Sequence, residues 1–418
     1  MSCELLAGFR LLDLSDDRGA LCGRIFADLG ADVIKIEPPM GCVTRRIPPF
    51  LDDLPGPQRS LYFLAYEAGK RSVTLNLDSA DGRRLLGELA RHADFVVESF
   101  APGYLATRSV DYEQLAATNP RLIQVTITPF GDRGPGTQFA ATDLTVWAAG
   151  GMMYMMGEAG RPPLQMSLPQ AGLHAGAEAA VAALIAHYAR QRSGIGQRVV
   201  INMQACVVGT LMNEQAMPIM HGNWIRRSGA WSAALGLQQR LIYRCADGHV
   251  AVLIIGAAGA PSTRALIQWM DEQGQAAPWM NSMAWETWAP GMLMAASAEE
   301  LAQVRELDQA VQAFLLPMTR AEIYRQGLRR RILLAPVNSV ADIARDPQLA
   351  ARQFFVPMAA PPGLPTLTVP GPFARLSQTP LTPTQPPPAL GEHNQAVYGE
   401  LLGLSRDDLS RLHAAGAI

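Results

Sequence analysis

A few side chains in this 418-residue sequence are of types that can do chemistry. Asp143, Glu158 and Glu178 are carboxylates, able to attack an activated carbonyl or to move a proton. Each also has a plainer reading. Asp143 follows Thr142 and suits a loop or a helix start. Glu158 lies between Gly157 and Gly160 in a loop, and Glu178 falls on an Ala-rich helical stretch as a surface or partner contact. His174 could hydrogen-bond a substrate carboxylate, or open a helix and face a neighbouring chain. Cys206 begins an apolar helix and reads as packing. The cations carry more weight. Lys70-Arg71 starts a strand and Arg108 follows the Pro102-Gly103 turn. Such donors suit phosphate oxygens, or else solvated charge and ion pairs within the fold. Arg329-Arg330-Arg331 is most simply a solvated helix end.

Five cysteines, Cys3, Cys22, Cys42, Cys206 and Cys245, form no C-x-x-C pair, which argues against zinc and redox motifs and fits reduced thiols in a cytosol. A hydrophobic fraction of 49% with 17% charged residues supports a sizeable core and excludes a disordered chain. Net charge −2 gives no overall attraction to nucleic acid or membrane. Met1–Arg10 does not read as a signal peptide, and no apolar run reaches the roughly 18 residues of a membrane span. A cytoplasmic protein is the expectation.

The elements that must position these side chains alternate. Phe9–Leu14 reads as a strand, and Ala20–Leu29 as a helix stopped by Gly30. Asp32–Glu37, Ser72–Leu77, Phe95–Glu98, Leu122–Ile127 and Val199–Met203 read as further strands, and Ser79–Arg91 as a helix capped by Ser79. This β-α-β order predicts an α/β fold with a mostly parallel sheet. Gly172–Arg190 is an Ala-rich helix. Its small residues Gly172, Ala175, Gly176, Ala179, Ala180 and Ala183 share one face that suits close packing, and the expectation is that it offers this face to a partner chain. From 222 to 332 the character changes to a smaller α+β domain, with a strand pair about an Asp247-Gly248 turn. Residues 1–221 and 333–418 would form the large domain, with Pro361–Pro388 as an extended Pro-rich strap and one or two helices over Leu390–Ile418.

A series of motifs along nearly the whole chain resembles the class III CoA-transferases. Leu29–Glu37 (LGADVIKIE), Gly69–Leu77 (GKRSVTLNL), Glu98–Gly103 (ESFAPG), Asn119–Ile123, Phe130–Pro135, Ser193–Gln197, Leu390–His393 and Leu401–Ser405 follow in the family's order and spacing. The resemblance implies a Rossmann-like large domain built from both chain ends, a small inserted domain, and two chains interlocked like links. It implies a coenzyme A thioester as substrate, with no tightly bound cofactor and no metal. Lys70, Arg71 and the backbone around Val73 would meet adenine and phosphates, Arg108 a phosphate, and Ser99 would stand near the thioester in place of the usual asparagine.

Family chemistry needs an aspartate that attacks the thioester and forms a mixed anhydride, which CoA thiolate then reopens. In the matching segment, Pro169-Gln170-Ala171-Gly172-Leu173-His174-Ala175-Gly176, the aspartate's position is Gly172. The family's racemase branch requires a His-Asp pair and a second acid. Here Thr142 replaces the histidine and Gly172 the second acid, so racemisation loses its acid/base pair. The resemblance therefore implies a non-catalytic subunit paired with a homologue that keeps the aspartate, as in heteromeric enzymes of anaerobic aromatic (toluene) degradation. Succinyl-CoA and benzylsuccinate are the donor and acceptor it suggests. Two other readings stand beside it: an active homodimeric CoA-ester enzyme using another residue, and a non-catalytic acyl-CoA-binding or scaffold protein.

Overall fold

The computed structural model describes residues 5–211, 226–232, 239–288, 297–359, 365–381 and 385–418. The expected domain boundary at 221–222 and parts of the expected strap, 361–364 and 382–384, lie outside the described residues. The chain forms two compact units, one of Met1–Gly151, Met166–Thr210 and Pro347–Ile418, the other of Met152–Gln165 and Leu211–Asp346.

The first unit is built on β1 (Arg10–Leu14), β2 (Asp32–Glu37), β3 (Arg71–Thr74), β4 (Phe95–Glu98), β5 (Ile123–Thr128) and β6 (Arg198–Asn202). The order is β3-β2-β1-β4-β5-β6 and every neighbouring pair is parallel, as the β-α-β reading expects. β4 and β5 are buried along their whole length and β1 to β3 nearly so, which is why these strands read as almost continuous apolar runs. Strand order reverses between β1 and β4, and in such sheets ligands bind outside the carboxyl ends of the strands at that point.

Helices α1 (Ala20–Asp28), α2 (Leu61–Tyr66), α3 (Ala80–Arg91), α4 (Tyr112–Thr118), α5 (Asp143–Ala149) and α6 (Ala171–Ser193) complete this unit's frame. Ser79 caps α3, its hydroxyl accepting from the Gly82 N–H at 2.9 Å. Leu85, Leu86 and Leu89 of α3 join Leu12, Ile34, Val73 and Val96 in a core that the chain's end also enters, through Val397, Tyr398, Leu412 and Ile418. The Tyr398 hydroxyl donates to the Thr74 carbonyl at 2.8 Å, and the Asn76 N–H to the Ala417 carbonyl at 2.8 Å. Both chain ends thus share one core.

α6 packs on α1 through its small residues. A Cβ at Gly176 would stand 3.0 Å from the Leu21 Cβ and 3.3 Å from the Cys22 nitrogen. This corrects the expectation that the small face serves a partner: α1 of the same chain already fills it. The outward face of α6 instead carries Val181, Ile185 and Tyr188, exposed by 58%, 64% and 58%.

In the second unit, Ile242–Cys245, Gly248–Val252 and Leu334–Pro336 form an antiparallel sheet with Gly248–Val252 in the middle. The turn falls at Ala246-Asp247, one residue earlier than expected, because Cys245 pairs with Gly248. Tyr243, Trp269, Met270, Trp285 and Phe314 fill its core. Of the Pro-rich strap, Leu367–Pro370 is an antiparallel strand paired with Phe355–Met358.

Candidate active site

Beneath α1 lies a buried cluster of charges. Lys70 Nζ reaches Asp13 Oδ2 at 2.7 Å, Glu67 Oε2 at 2.5 Å and the Ala20 carbonyl at 3.0 Å. Lys35 Nζ lies 3.3 Å from both Asp13 Oδ1 and Glu67 Oε1, so two cations balance two anions. Burial alone would push the Asp13 carboxyl up, but the two lysines and the Ser15 hydroxyl outweigh it and hold it at about 2. Glu37 is likewise held at about 2 against burial by a bidentate pair with Arg45 (2.6 and 2.7 Å) and by the Ser72 hydroxyl. Gly23 makes room for the cluster, since a Cβ there would come within 2.4 Å of Asp13 Oδ2. An ammonium has three N–H donors, and Lys70 points all three inward. Its expected place against a phosphate is therefore corrected: Lys70 is a structural ion within the core.

Arg71 also turns away from a ligand. It pairs with Asp32 at 2.5 and 2.7 Å, at the amino ends of β2 and β3. The Val73 side chain is wholly buried in the core. The segment that follows it fares differently. Leu75, Asn76, Leu77 and Asp78 line a cleft of about 220 Å³ with Ser15, Asp16 and Arg18 after β1, Glu37 at the end of β2 and Pro38 beyond it, and Ser99, Phe100 and Tyr104 after β4. This is the crevice that the strand order demands. Arg108 stands at its rim, bonded to Asp78 Oδ1 (3.1 Å from Nε) and stacked 3.6 Å above the Tyr104 ring, which itself stacks on Phe100. Of the expected binding residues, the fold brings together Ser99, Arg108 and the backbone beyond Val73. Lys70 and Arg71 are used elsewhere.

The loop Ser15–Arg18 escapes a reading by motif, although its place in the first β-to-α turn is a signal that could have found it. It is held firmly. The Asp16 N–H donates to Ser99 Oγ (2.8 Å), which donates back to Asp16 Oδ1 (2.7 Å), and Arg18 Nε grips both Asp16 oxygens. The Tyr62 hydroxyl donates to the Asp17 carbonyl at 2.9 Å. This loop covers Gly172 in the first turn of α6. A Cβ on Gly172 would lie 3.1 Å from the Asp17 carbonyl oxygen and 3.3 Å from the Arg18 Cα.

Asp143 keeps its plainer reading. Oδ1 accepts from the Ala171 N–H at 2.7 Å and the Gly172 N–H at 3.4 Å, so it caps α6, where the helix dipole favours an anion. Thr142 in turn caps α5. Asp17 stands against these acids, and burial first, then the charges of Asp16 and Asp143, push its carboxyl above the usual range. The His174 ring lies 5.8 Å from that of Trp147. Glu178 is exposed, and Cys206 is a buried thiol that burial first, then the Glu178 carboxylate, pushes up to about 12, far from a thiolate. Glu158 belongs to the second unit and pairs with Arg161 at 3.1 Å. In the Arg329–Arg331 run, Arg330 pairs with Glu272 and Arg331 ends its helix at φ 59°.

Fold and crevice define a class. A model of CoA-transferase family III matches residues 6–394, and the chain belongs to that family. Among its relatives, the chain is 30% identical over 411 residues to the BbsE subunit of succinyl-CoA:(R)-benzylsuccinate CoA-transferase of Thauera aromatica, covering 98% of this chain and 97% of that one. It is 30% identical over 436 residues to formyl-CoA:oxalate CoA-transferase of Streptomyces coelicolor, covering 100% of both. A crystal structure of a CAIB/BAIF family protein from Brucella suis matches with a TM-score of 0.79 at 28% identity, over 96% of this chain and 100% of that one. Among the described residues no helix is long and apolar enough to cross a membrane.

Proposed function

We propose that this chain is the non-catalytic subunit of a heteromeric class III CoA-transferase. It interlocks with a homologous chain that keeps the nucleophilic aspartate, and together they move CoA from an acyl-CoA donor to a carboxylic acid. The observation that carries this is Gly172. On our reading of the motif spacing it takes the position of the family's nucleophile; it has no side chain, and backbone lies within 3.1 Å of where a Cβ would be. In the complex, the partner's aspartate attacks the thioester carbonyl and CoA thiolate leaves. The thiolate reopens the mixed anhydride at the aspartyl carbonyl and releases the donor acid. The acceptor carboxylate then attacks the aspartyl thioester, forming a second anhydride that the thiolate opens to give the new acyl-CoA and the free aspartate. This chain contributes interface and, in its own crevice, a hold for part of a CoA molecule made of the 75–78 backbone, Ser99 and Arg108. The exposed stripe Val181, Ile185, Tyr188 on α6 supports a covering partner, since a helix apolar on both faces is buried on both. The Thauera aromatica relative suggests succinyl-CoA as donor and benzylsuccinate as acceptor.

The test is to trap the intermediate. This chain alone, incubated with succinyl-CoA and treated with hydroxylamine or borohydride, should carry no label. Co-expressed with its homologous subunit, the label should appear on the partner's aspartate alone. A labelled Asp or Glu in this chain overturns the proposal. For the crevice, Arg108→Ala should weaken CoA binding by calorimetry about tenfold, or ~1.4 kcal/mol, while leaving the fold intact. Unchanged affinity would remove Arg108 from the site.

A further inference from the structure

Three carboxylates line the crevice, Asp16, Glu37 and Asp78, and each is held by an arginine. The pairs differ in what it costs to open them. Glu37 and Arg45 are 0% and 2% exposed, so parting them strands two charges away from water. Asp16 is gripped through both oxygens by Arg18 Nε and also accepts from Ser99 Oγ at 2.7 Å, in the loop that covers Gly172. Asp78 is different. Its side chain is 71% exposed, and among the described residues its carboxylate is hydrogen-bonded by Arg108 alone.

Arg108 is also the cation at the rim that can move. Lys35, Lys70 and Arg71 are committed elsewhere, and Arg83 donates to the Leu77 and Asp78 carbonyls at 3.1 and 2.9 Å. The Arg108 guanidinium rests 3.6 Å above the Tyr104 ring, and its Nη1 donates to the Tyr104 carbonyl at 3.2 Å. These contacts hold the plane in place while the edge bonded to Asp78 exchanges one oxyanion for another. A guanidinium bonds carboxylate and phosphate oxygens in the same forked geometry. When it leaves Asp78, the carboxylate left behind is already in water, and no buried charge is orphaned.

We propose that Asp78 is a positioning residue that competes with a ligand phosphate for Arg108 and so keeps this chain's hold on CoA weak. The inference rests on the reading of this crevice as a hold for part of CoA. A phosphate that reaches Arg108 must first open the Asp78 pair, whereas an uncharged nucleoside leaves the pair closed. In a heteromer whose chemistry is done by the other subunit, a tight second pocket would draw acyl-CoA away from the aspartate. A pocket with its own competing carboxylate lets it go.

The test titrates CoA, and adenosine as the uncharged control, into the full chain by NMR at constant ionic strength. Asp78→Asn keeps the shape of the side chain. It is expected to tighten CoA about fivefold, the ~1 kcal/mol that an exposed pair contributes, and to leave adenosine unchanged. In an Arg108→Ala background the same substitution should gain less than about twofold, since only the repulsion between Asp78 and phosphate is then left to remove. Equal tightening of CoA and adenosine would show a change of pocket shape, and an equal gain with and without Arg108 would show plain repulsion. Either result, or no gain for CoA, overturns the inference. If CoA does not bind the parent chain, or binds equally well after Arg108→Ala, the reading of the crevice fails first and the inference falls with it.

Discussion

Lys70→Met is expected to lower the unfolding free energy by roughly 3–5 kcal/mol, a large part of the about 5–15 kcal/mol by which domains are stable. The side chain is wholly buried and lies between two wholly buried carboxylates. Without it, Asp13 and Glu67 share only Lys35, and one negative charge stays in a medium that cannot solvate it. Coulomb attraction outweighs hydrophobic contact here, so a methionine of similar length does not compensate. Restoring neutrality should. Lys70→Met with Glu67→Gln is expected to recover a substantial part of the loss, a coupling that thermal melts of the four-variant cycle would read. The neighbouring Arg71→Ala provides the contrast. Its pair with Asp32 is about 30% exposed on both sides, and an exposed pair contributes up to about 1 kcal/mol. If Lys70→Met and Arg71→Ala melt alike, the buried cluster is not what holds α1 to the sheet. Two buried carboxylates set the acid limit, Asp13 in this cluster and Glu37 beside Arg45. Asp13 and Glu37, held at about 2 in the fold, ionise near 4 when unfolded. Their stabilisation is therefore complete above about pH 4–5 and lost as pH falls through 2. Acid unfolding followed by circular dichroism should fall in that window, and should shift to higher pH in the Lys70→Met variant.

Gly172→Asp is expected to give the isolated chain no CoA-transferase activity and to destabilise it by about 1–3 kcal/mol. Two effects favour the substitution. A glycine in a helix costs about 1 kcal/mol relative to alanine, and a carboxylate in a first turn gains about 0.3–1 kcal/mol from the dipole. Against them stands the loop. The new Cβ meets the Asp17 carbonyl at 3.1 Å and the Arg18 Cα at 3.3 Å. That loop cannot yield cheaply, being tied by Ser99, Tyr62 and the Asp16–Arg18 pair. The new charge would also join Asp143, which already caps the helix, and Asp17, whose carboxyl is already pushed up by burial and by its acidic neighbours. Gly172→Ala separates crowding from charge, because it adds the contact alone and should fall between parent and Gly172→Asp in a melt. A Gly172→Asp chain that alone turns over succinyl-CoA and benzylsuccinate would show that the missing carboxylate was the whole defect, and would remove the need for a partner.

Much of the frame was legible in the sequence because it follows from local chemistry. Short apolar runs between glycines and prolines located all six parallel strands to within a few residues, and Ser79 and Gly30 mark helix ends by local chemistry that needs no tertiary contact. The order and spacing of the motifs carried the family, and Gly172 could be seen to lack a nucleophile from its residue type alone. The destination of charged side chains was not legible. Lys70 and Arg71 are adjacent and look alike as phosphate cations, yet one is sealed under α1 and the other sits at the opposite end of the sheet from the crevice. Alternation along a strand sends neighbours to opposite faces, and only the packing of α1 decides which face is dry. The small residues of α6 announced a close approach but not to what, since any backbone can fill such a face, and α1 of the same chain did. The Ser15–Arg18 loop closing on Gly172 joins residues over 150 positions apart. A contact of that separation leaves no periodicity in the sequence. The sequence by itself determined the elements and the family, and put a glycine at 172. Only the tertiary structure decided which cations remain free for a ligand, and that the space at Gly172 is already taken.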